Sequence, residues 1–191
     1  MKKFESVLSS SALIMIVGVF FNVCIMFITF FNDSVFSRIY LMSFVVCFLL
    51  SFILLPLLLI NRFLGKPIKH LLNHVFDWKR TVILFPIVLL LSLYLAGKAA
   101  TIEYFIVAFG EEFLFRHLIL MILISAFNKK WSFIIGSLMF ALILHLNGNF
   151  LINLLTKFPI SLLLYYLYHK YKLQDAIFLH WLYNVFVYRF S

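Results

Sequence analysis

Long apolar runs follow one another along the chain with short polar gaps between them, and none of the runs alternates with a two-residue period. A helix needs about 20 apolar residues to cross a hydrocarbon core. Lipid admits only helices and closed barrels, because every backbone N–H and C=O must find its partner inside the protein. Continuous runs exclude the barrel. Seven runs result: Ser11–Phe31, Ile39–Ile60, Thr81–Gly97, Tyr104–Phe127, Trp131–Leu146, Phe150–Tyr168 and Ala176–Phe190. The fifth and seventh are short, which predicts a tilted, half-buried or broken element at each. The expected fold is all-α, a polytopic transmembrane bundle of about seven spans forming a single membrane domain over residues 1–191, with no internal repeat.

The gaps orient the bundle, since cytoplasmic loops carry the Lys and Arg excess. With the N-terminus inside, Lys2, Lys3, Arg62, Lys66, Lys69, Lys79, Arg80, Lys129, Lys130, Lys170 and Lys172 are cytoplasmic, eleven in all. Arg38, Lys98 and Arg189 fall outside, three in all, and Arg116 and Lys157 lie within spans. The start, Met1-Lys2-Lys3 before an apolar stretch, has the flank of a secretory signal. Its apolar part, Ala12 to Phe31, is too long and no small-x-small site follows, so it is read as a span. The longest gap, Asn61 to Arg80, interleaves Ile68, Leu71, Leu72, Val75 and Phe76 with polar residues and predicts an interfacial amphipathic helix. On it His70 and His74, four apart, share a solvated face; no third metal ligand accompanies them. Pro56, Pro86 and Pro159 lie within spans and predict kinks.

Composition agrees with the pattern. Of the 191 residues 65% are hydrophobic and 12% charged, with a mean hydropathy of +1.10, which excludes a soluble globule. The net charge of +9 sits in the gaps and acts as a topology signal, which argues against a nucleic-acid partner. Cys24 and Cys47 fall inside apolar runs and imply no disulfide.

Chemistry enters with the fourth run, which contains Gly110-Glu111-Glu112-Phe113-Leu114-Phe115-Arg116-His117. An ionised side chain at the bilayer centre costs about 2.5–3.5 kcal/mol even on a lenient scale, so these groups must face a polar interior and find partners. At 100° per residue Arg116 lies about 40° around the helix from Glu112 and about 140° from Glu111. Glu112 is its natural partner. Glu111 is left without that cation, beside a second carboxylate and in low dielectric, the poised carboxyl that a general base requires. A purely structural Glu112–Arg116 pair with a solvated Glu111 is the alternative on this segment alone. Two later histidines weigh against it: His145 closes the fifth run, and His180 opens the seventh as His180-Trp181-Leu182-Tyr183-Asn184. His180 and Asn184, four apart, share a face and can aim two donors at one point, as an oxyanion site needs.

This ordered set, Glu-Glu-x-x-x-Arg, a His ending an apolar helix, and His-x-x-x-Asn near the C-terminus, resembles the CAAX protease and bacteriocin-processing membrane family, also called the Abi family. The resemblance covers roughly residues 104–191; the first three spans match only as apolar helices. One departure is Ala141, where the family typically carries Phe four residues before the His; here Phe140 is five before. The resemblance implies intramembrane peptide-bond hydrolysis without a covalent enzyme intermediate and without a cofactor. Glu111, assisted by His145, would activate water; His180 and Asn184 would stabilise the oxyanion; Glu112 and Arg116 would organise the site. It further implies a multi-pass protein of a bacterial plasma membrane acting on a membrane-associated peptide such as a pheromone or bacteriocin precursor.

Three alternatives stay open. Glu and two His could ligate zinc. The chain could be a non-catalytic bacteriocin-immunity or scaffold protein reusing the fold. The buried charges could line a proton or ion path, although the acids are confined to one span and no repeat pair accompanies them. The sequence also poses a geometric problem, because His145 falls near the outer end of its helix and His180 near the inner end of another. Tilted or broken helices around a cavity, with Gly148 and Pro159 as irregular places, or a displaced boundary would bring them together.

Overall fold

A bilayer removes the usual contrast between an apolar core and a polar exterior. Lipid is as apolar as leucine, so small and hydroxylated side chains mark helix interfaces instead. The computed structural model, which describes residues 2–31, 38–144 and 149–190, follows that rule. Ser6, Ser10, Ser51, Ser92, Ser132 and Ser161 are fully buried, while Phe4, Met26, Phe30, Met42, Val82 and Phe190 face outward. The Ser6 hydroxyl donates to the Ile122 carbonyl at 3.0 Å and so fixes the first helix against the middle of the chain.

The described chain runs α1 (Lys3–Phe31), α2 (Arg38–Leu49), a π-helical turn (Leu50–Leu54), α3 (Leu55–Leu64), α4 (Ile68–Leu71) and α5 (Trp78–Glu112). A second π-helical stretch (Phe113–Ile119), α6 (Leu120–Ile124), α7 (Lys129–Leu142), α8 (Phe150–Tyr171) and α9 (Leu173–Phe190) complete it. No strand occurs among the described residues, so the all-α expectation holds. Four segments are long and apolar enough to cross a membrane: Lys3–Phe30, Ile39–Leu64, Trp78–Ile124 and Phe150–Tyr171.

The third of these is 47 residues long, too long for one crossing. Gly97 breaks it, with φ 74° and ψ 177°, a conformation that strains a residue with a Cβ. Phe85 and Phe105 stand on either side of the break with ring centroids 5.8 Å apart. Twenty residues along a straight helix would separate them by about 30 Å. The segment therefore folds back on itself at Gly97, where the sequence ended its third run, and each of the seven apolar runs is helical over most of its described residues.

Two expectations need correction. The helix expected between Asn61 and Arg80 is a single turn, α4, because Gly65 ends α3 in the left-handed conformation at φ 63° and His74 takes φ 55°. His70 and His74 are therefore not neighbours on one helical face, although both are exposed. The last helix begins at Leu173 instead of Ala176. Its polar first turn is helical because it has partners: Gln174 accepts from the Asp77 N–H at 3.0 Å, and the Asp175 carboxylate takes Arg80 Nη2 at 2.6 Å and Nε at 3.2 Å. Asp77 in turn caps α5, accepting from the Lys79 and Arg80 N–H groups at 3.1 and 3.3 Å. Of the three prolines, Pro56 follows the first π-helical turn, whereas Pro86 and Pro159 sit inside helices that continue through them. Gly148 lies outside the described residues; Asn149 beside it caps α8 through the Leu151 and Ile152 N–H groups.

The contacts of the loops expected to be cytoplasmic gather at one end of the bundle. Lys3 lies 5.9 Å from the Phe127 ring, Lys129 touches His169, the Leu173 N–H donates to the Val75 carbonyl, and Arg80 meets Asp175. Basic residues assigned to two separate gaps and to the N-terminus thus share an end.

Candidate active site

Glu111 and Glu112 close α5 about 21 Å from the Gly97 reversal and about 20 Å from the end of α6 at 1.5 Å per residue, midway along that leg. The helix then widens into its π-helical stretch from Phe113 to Ile119. Such insertions re-aim side chains and often mark functional positions. Here the widening leaves Arg116 one turn beyond Glu112, with Arg116 Nε 2.9 Å from Glu112 Oε2 and both side chains fully buried. The pairing expected from four-residue spacing is the one observed.

Aromatic rings complete the arginine's surroundings. Its guanidinium carbon stands 4.5 Å from the Phe140 ring centroid and 4.7 Å from that of Tyr165. Rings at these distances suit a planar, weakly hydrated cation. The Nε–Oε2 approach is too poorly aligned for a hydrogen bond, so the pair is held by charge and by this stacking. Tyr165 is itself fixed, donating its hydroxyl to the Phe115 carbonyl at 3.0 Å. It stands against Gly136 of α7, where a Cβ would run into the Tyr165 hydroxyl. Phe140 also packs edge-on to His180, with centroids 6.1 Å apart. The aromatic contact that Ala141 left open is thus supplied one position earlier.

His180, seven residues or about 10 Å into α9, reaches both glutamates. Its Nδ1 is 2.8 Å from Glu112 Oε1, and its Nε2 is 3.9 Å from Glu111 Oε2. Glu112 therefore carries two tasks: one oxygen faces Arg116, and the other accepts from the His180 Nδ1–H. A carboxylate so engaged sets the imidazole's orientation and leaves Nε2 directed at Glu111. Glu111 keeps 13% of its side-chain exposure against none for Glu112, so the two adjacent acids sit in different surroundings.

His180 and Asn184 both line a cavity of about 370 Å³, together with Phe140, Lys157, Tyr104, Tyr183 and Tyr188 among others. Five of the six residues singled out by sequence fall in one region: Glu111, Glu112, Arg116, His180 and Asn184. His145 lies outside the described residues. The earlier start of α9 places His180 about 4.5 Å deeper along its helix than a start at Ala176 would. Among the described residues no three His, Cys, Asp or Glu side chains are grouped to hold a metal ion.

Sequence reasoning gave no role to Lys157, Tyr165 or His117. Lys157 had a signal, a cation inside an apolar run; Tyr165 had none. His117 accepts or donates at Nδ1 with the Tyr168 hydroxyl at 2.9 Å and meets the Leu71 carbonyl through Nε2, so it joins α4 to α8 beneath the site.

A family model described as type II CAAX prenyl endopeptidase Rce1-like matches residues 81–186, more than half of the chain. The match takes in every motif named above and also the first leg of α5, which had shown only generic apolar character. No curated protein and no solved structure matches the chain.

Proposed function

Because the chain belongs to the Rce1-like family of type II CAAX prenyl endopeptidases, we propose that this multi-pass membrane protein is an intramembrane endopeptidase that hydrolyses its substrate by glutamate-activated water. The observation that carries the proposal is the placement of His180 between the two glutamates, 2.8 Å from Glu112 and 3.9 Å from Glu111. In this reading Glu111 takes a proton from water as the water oxygen bonds to the scissile carbonyl carbon, with His145 as its assistant. The oxyanion is received by His180 Nε2–H and by the Asn184 amide across the cavity. Donation from Nε2 needs the doubly protonated imidazolium, with Glu112 at Nδ1 and Glu111 beyond Nε2 as counter-charges. Collapse breaks the C–N bond, and the proton held by Glu111 passes to the leaving amine. No covalent enzyme intermediate forms.

The setting we propose is a bacterial plasma membrane with the N-terminus inside, and the substrates are membrane-associated peptides such as pheromone or bacteriocin precursors, in processing or self-immunity. The gathering of Lys3, Arg80, Lys129 and Lys172 at one end of the bundle supports that orientation. The test is to reconstitute the purified protein in proteoliposomes with lipid-anchored peptides and to read new termini by mass spectrometry, with and without chelator. Cleavage that persists through chelation is expected. Cleavage lost on chelation and restored by zinc would move the chemistry to a metal.

A further inference from the structure

Lys157 has no role in the chemistry above, yet its position is hard to explain by packing. It lies on α8 about 10 Å from the Phe150 end, in a segment apolar enough to span a membrane. A lone cation there is costly unless a partner or a polar cavity receives it. Its ammonium makes no hydrogen bond or ion pair among the described residues, in contrast to Arg116, which is held by Glu112 and two rings. The side chain is half-buried and lines the same cavity as His180 and Asn184. The cavity therefore holds an uncommitted ammonium beside the groups assigned to the reaction, and Tyr104 and Tyr188, whose rings stand 5.6 Å apart, line the same cavity.

We propose that Lys157 binds a carboxylate of the substrate, either the peptide's own C-terminus or an Asp or Glu side chain, close to the bond that is cut. The proposal rests on the peptidase reading. A lysine ammonium offers three donors and a full charge, which a carboxylate matches and a neutral amide does not. Lys157, His180 and Asn184 line one cavity of about 370 Å³, so a carboxylate held by the ammonium shares that cavity with the scissile carbonyl. Lys157 is a specificity-determining residue: it selects substrates that place a negative charge in the cavity.

The experiment uses one quenched-fluorophore peptide, palmitoylated at its N-terminus, in three forms: with a free C-terminal carboxylate, as the C-terminal amide, and as the amide with Asp as its last residue. Cleavage by the full-length protein in proteoliposomes gives kcat/KM for each form, and fluorescence anisotropy gives binding to Glu111→Gln, in which cleavage is blocked. The wild-type protein should prefer a carboxylate form over the amide by about tenfold to a hundredfold, the range of one charged hydrogen bond. Lys157→Met should bring that ratio to about one, and Lys157→Arg should keep most of it. A preference for the free C-terminus alone identifies the terminal carboxylate; equal preference for the Asp form identifies either kind of carboxylate at that end of the peptide. A wild-type ratio near one, or a ratio that survives Lys157→Met, overturns the proposal and leaves Lys157 as an interfacial or purely electrostatic group. If no form is cleaved, the peptidase reading fails by itself. The ratio of binding affinities, with and without Lys157→Met, still decides the role of Lys157.

Discussion

The buried Glu112–Arg116 pair allows a sharp test of how the site is held together. In Arg116→Met a side chain of similar length fills the space between Phe140 and Tyr165 but leaves the fully buried Glu112 carboxylate with only the His180 Nδ1–H, 2.8 Å away. Removing one member of a buried ion pair costs about 3–5 kcal/mol, because the other charge stays in low dielectric. Replacing both members relieves that penalty. The double variant Glu112→Gln/Arg116→Met should therefore be more stable than Arg116→Met alone, and the double-mutant cycle should show coupling of about 1.5–3 kcal/mol. Arg116→Lys keeps the charge but gives up the planar stack at 4.5 and 4.7 Å, and should cost about 1–2 kcal/mol. The assay is reversible unfolding in mixed detergent micelles, followed by tryptophan fluorescence. An Arg116→Met variant within about 1 kcal/mol of wild type, or single costs that simply add, would refute the view that charge pairing organises this core.

Three further outcomes follow from the geometry. Gly136→Ala places a methyl group against the Tyr165 hydroxyl and should destabilise the protein by about 1–3 kcal/mol through overpacking, read as a lowered Tm. It should also lower activity, since Tyr165 is one wall of the Arg116 stack. His180→Ala should reduce kcat by about 10²–10³-fold or more through loss of an oxyanion donor, and Asn184→Leu should lower kcat more than it raises KM; steady-state kinetics on the cleaved peptide checks both. Asp175→Ala should cost no more than about 1 kcal/mol, because the Arg80 side chain it pairs with is 41% exposed. A larger loss of Tm would show that the α5–α9 tie carries more of the fold than its exposure suggests.

Hydropathy alone located the helices because lipid imposes one strong rule, and the i,i+4 arithmetic separated Glu112 from Glu111 even though Arg116 lies inside the π-helical stretch. What failed was tertiary. Leu173, Gln174 and Asp175 read as a polar gap, yet they are helical because Asp77 and Arg80 receive their side chains, contacts about 95 residues apart in sequence that no local pattern encodes. The amphipathic pattern between Asn61 and Arg80 was real, but left-handed residues at Gly65 and His74 cut it to one turn. The bond from His180 to Glu112 was equally illegible. Spacing paired Glu112 with Arg116, and nothing in the sequence says that its second oxygen is free for another helix. The π-helical widening at Phe113–Ile119 has no residue signature at all, although it carries Arg116.

The proposed reaction turns on Glu111 as the base that activates the water. The most direct measurement is the rate at which purified Glu111→Gln in proteoliposomes generates the cleaved termini that the wild-type protein produces, with Tm measured on the same samples. A loss of about 10²–10⁴-fold in kcat is expected, the range for a general base, with Tm little changed, because Glu111 is partly exposed and its contact with His180 is 3.9 Å long. Cleavage within about threefold of wild type would contradict it.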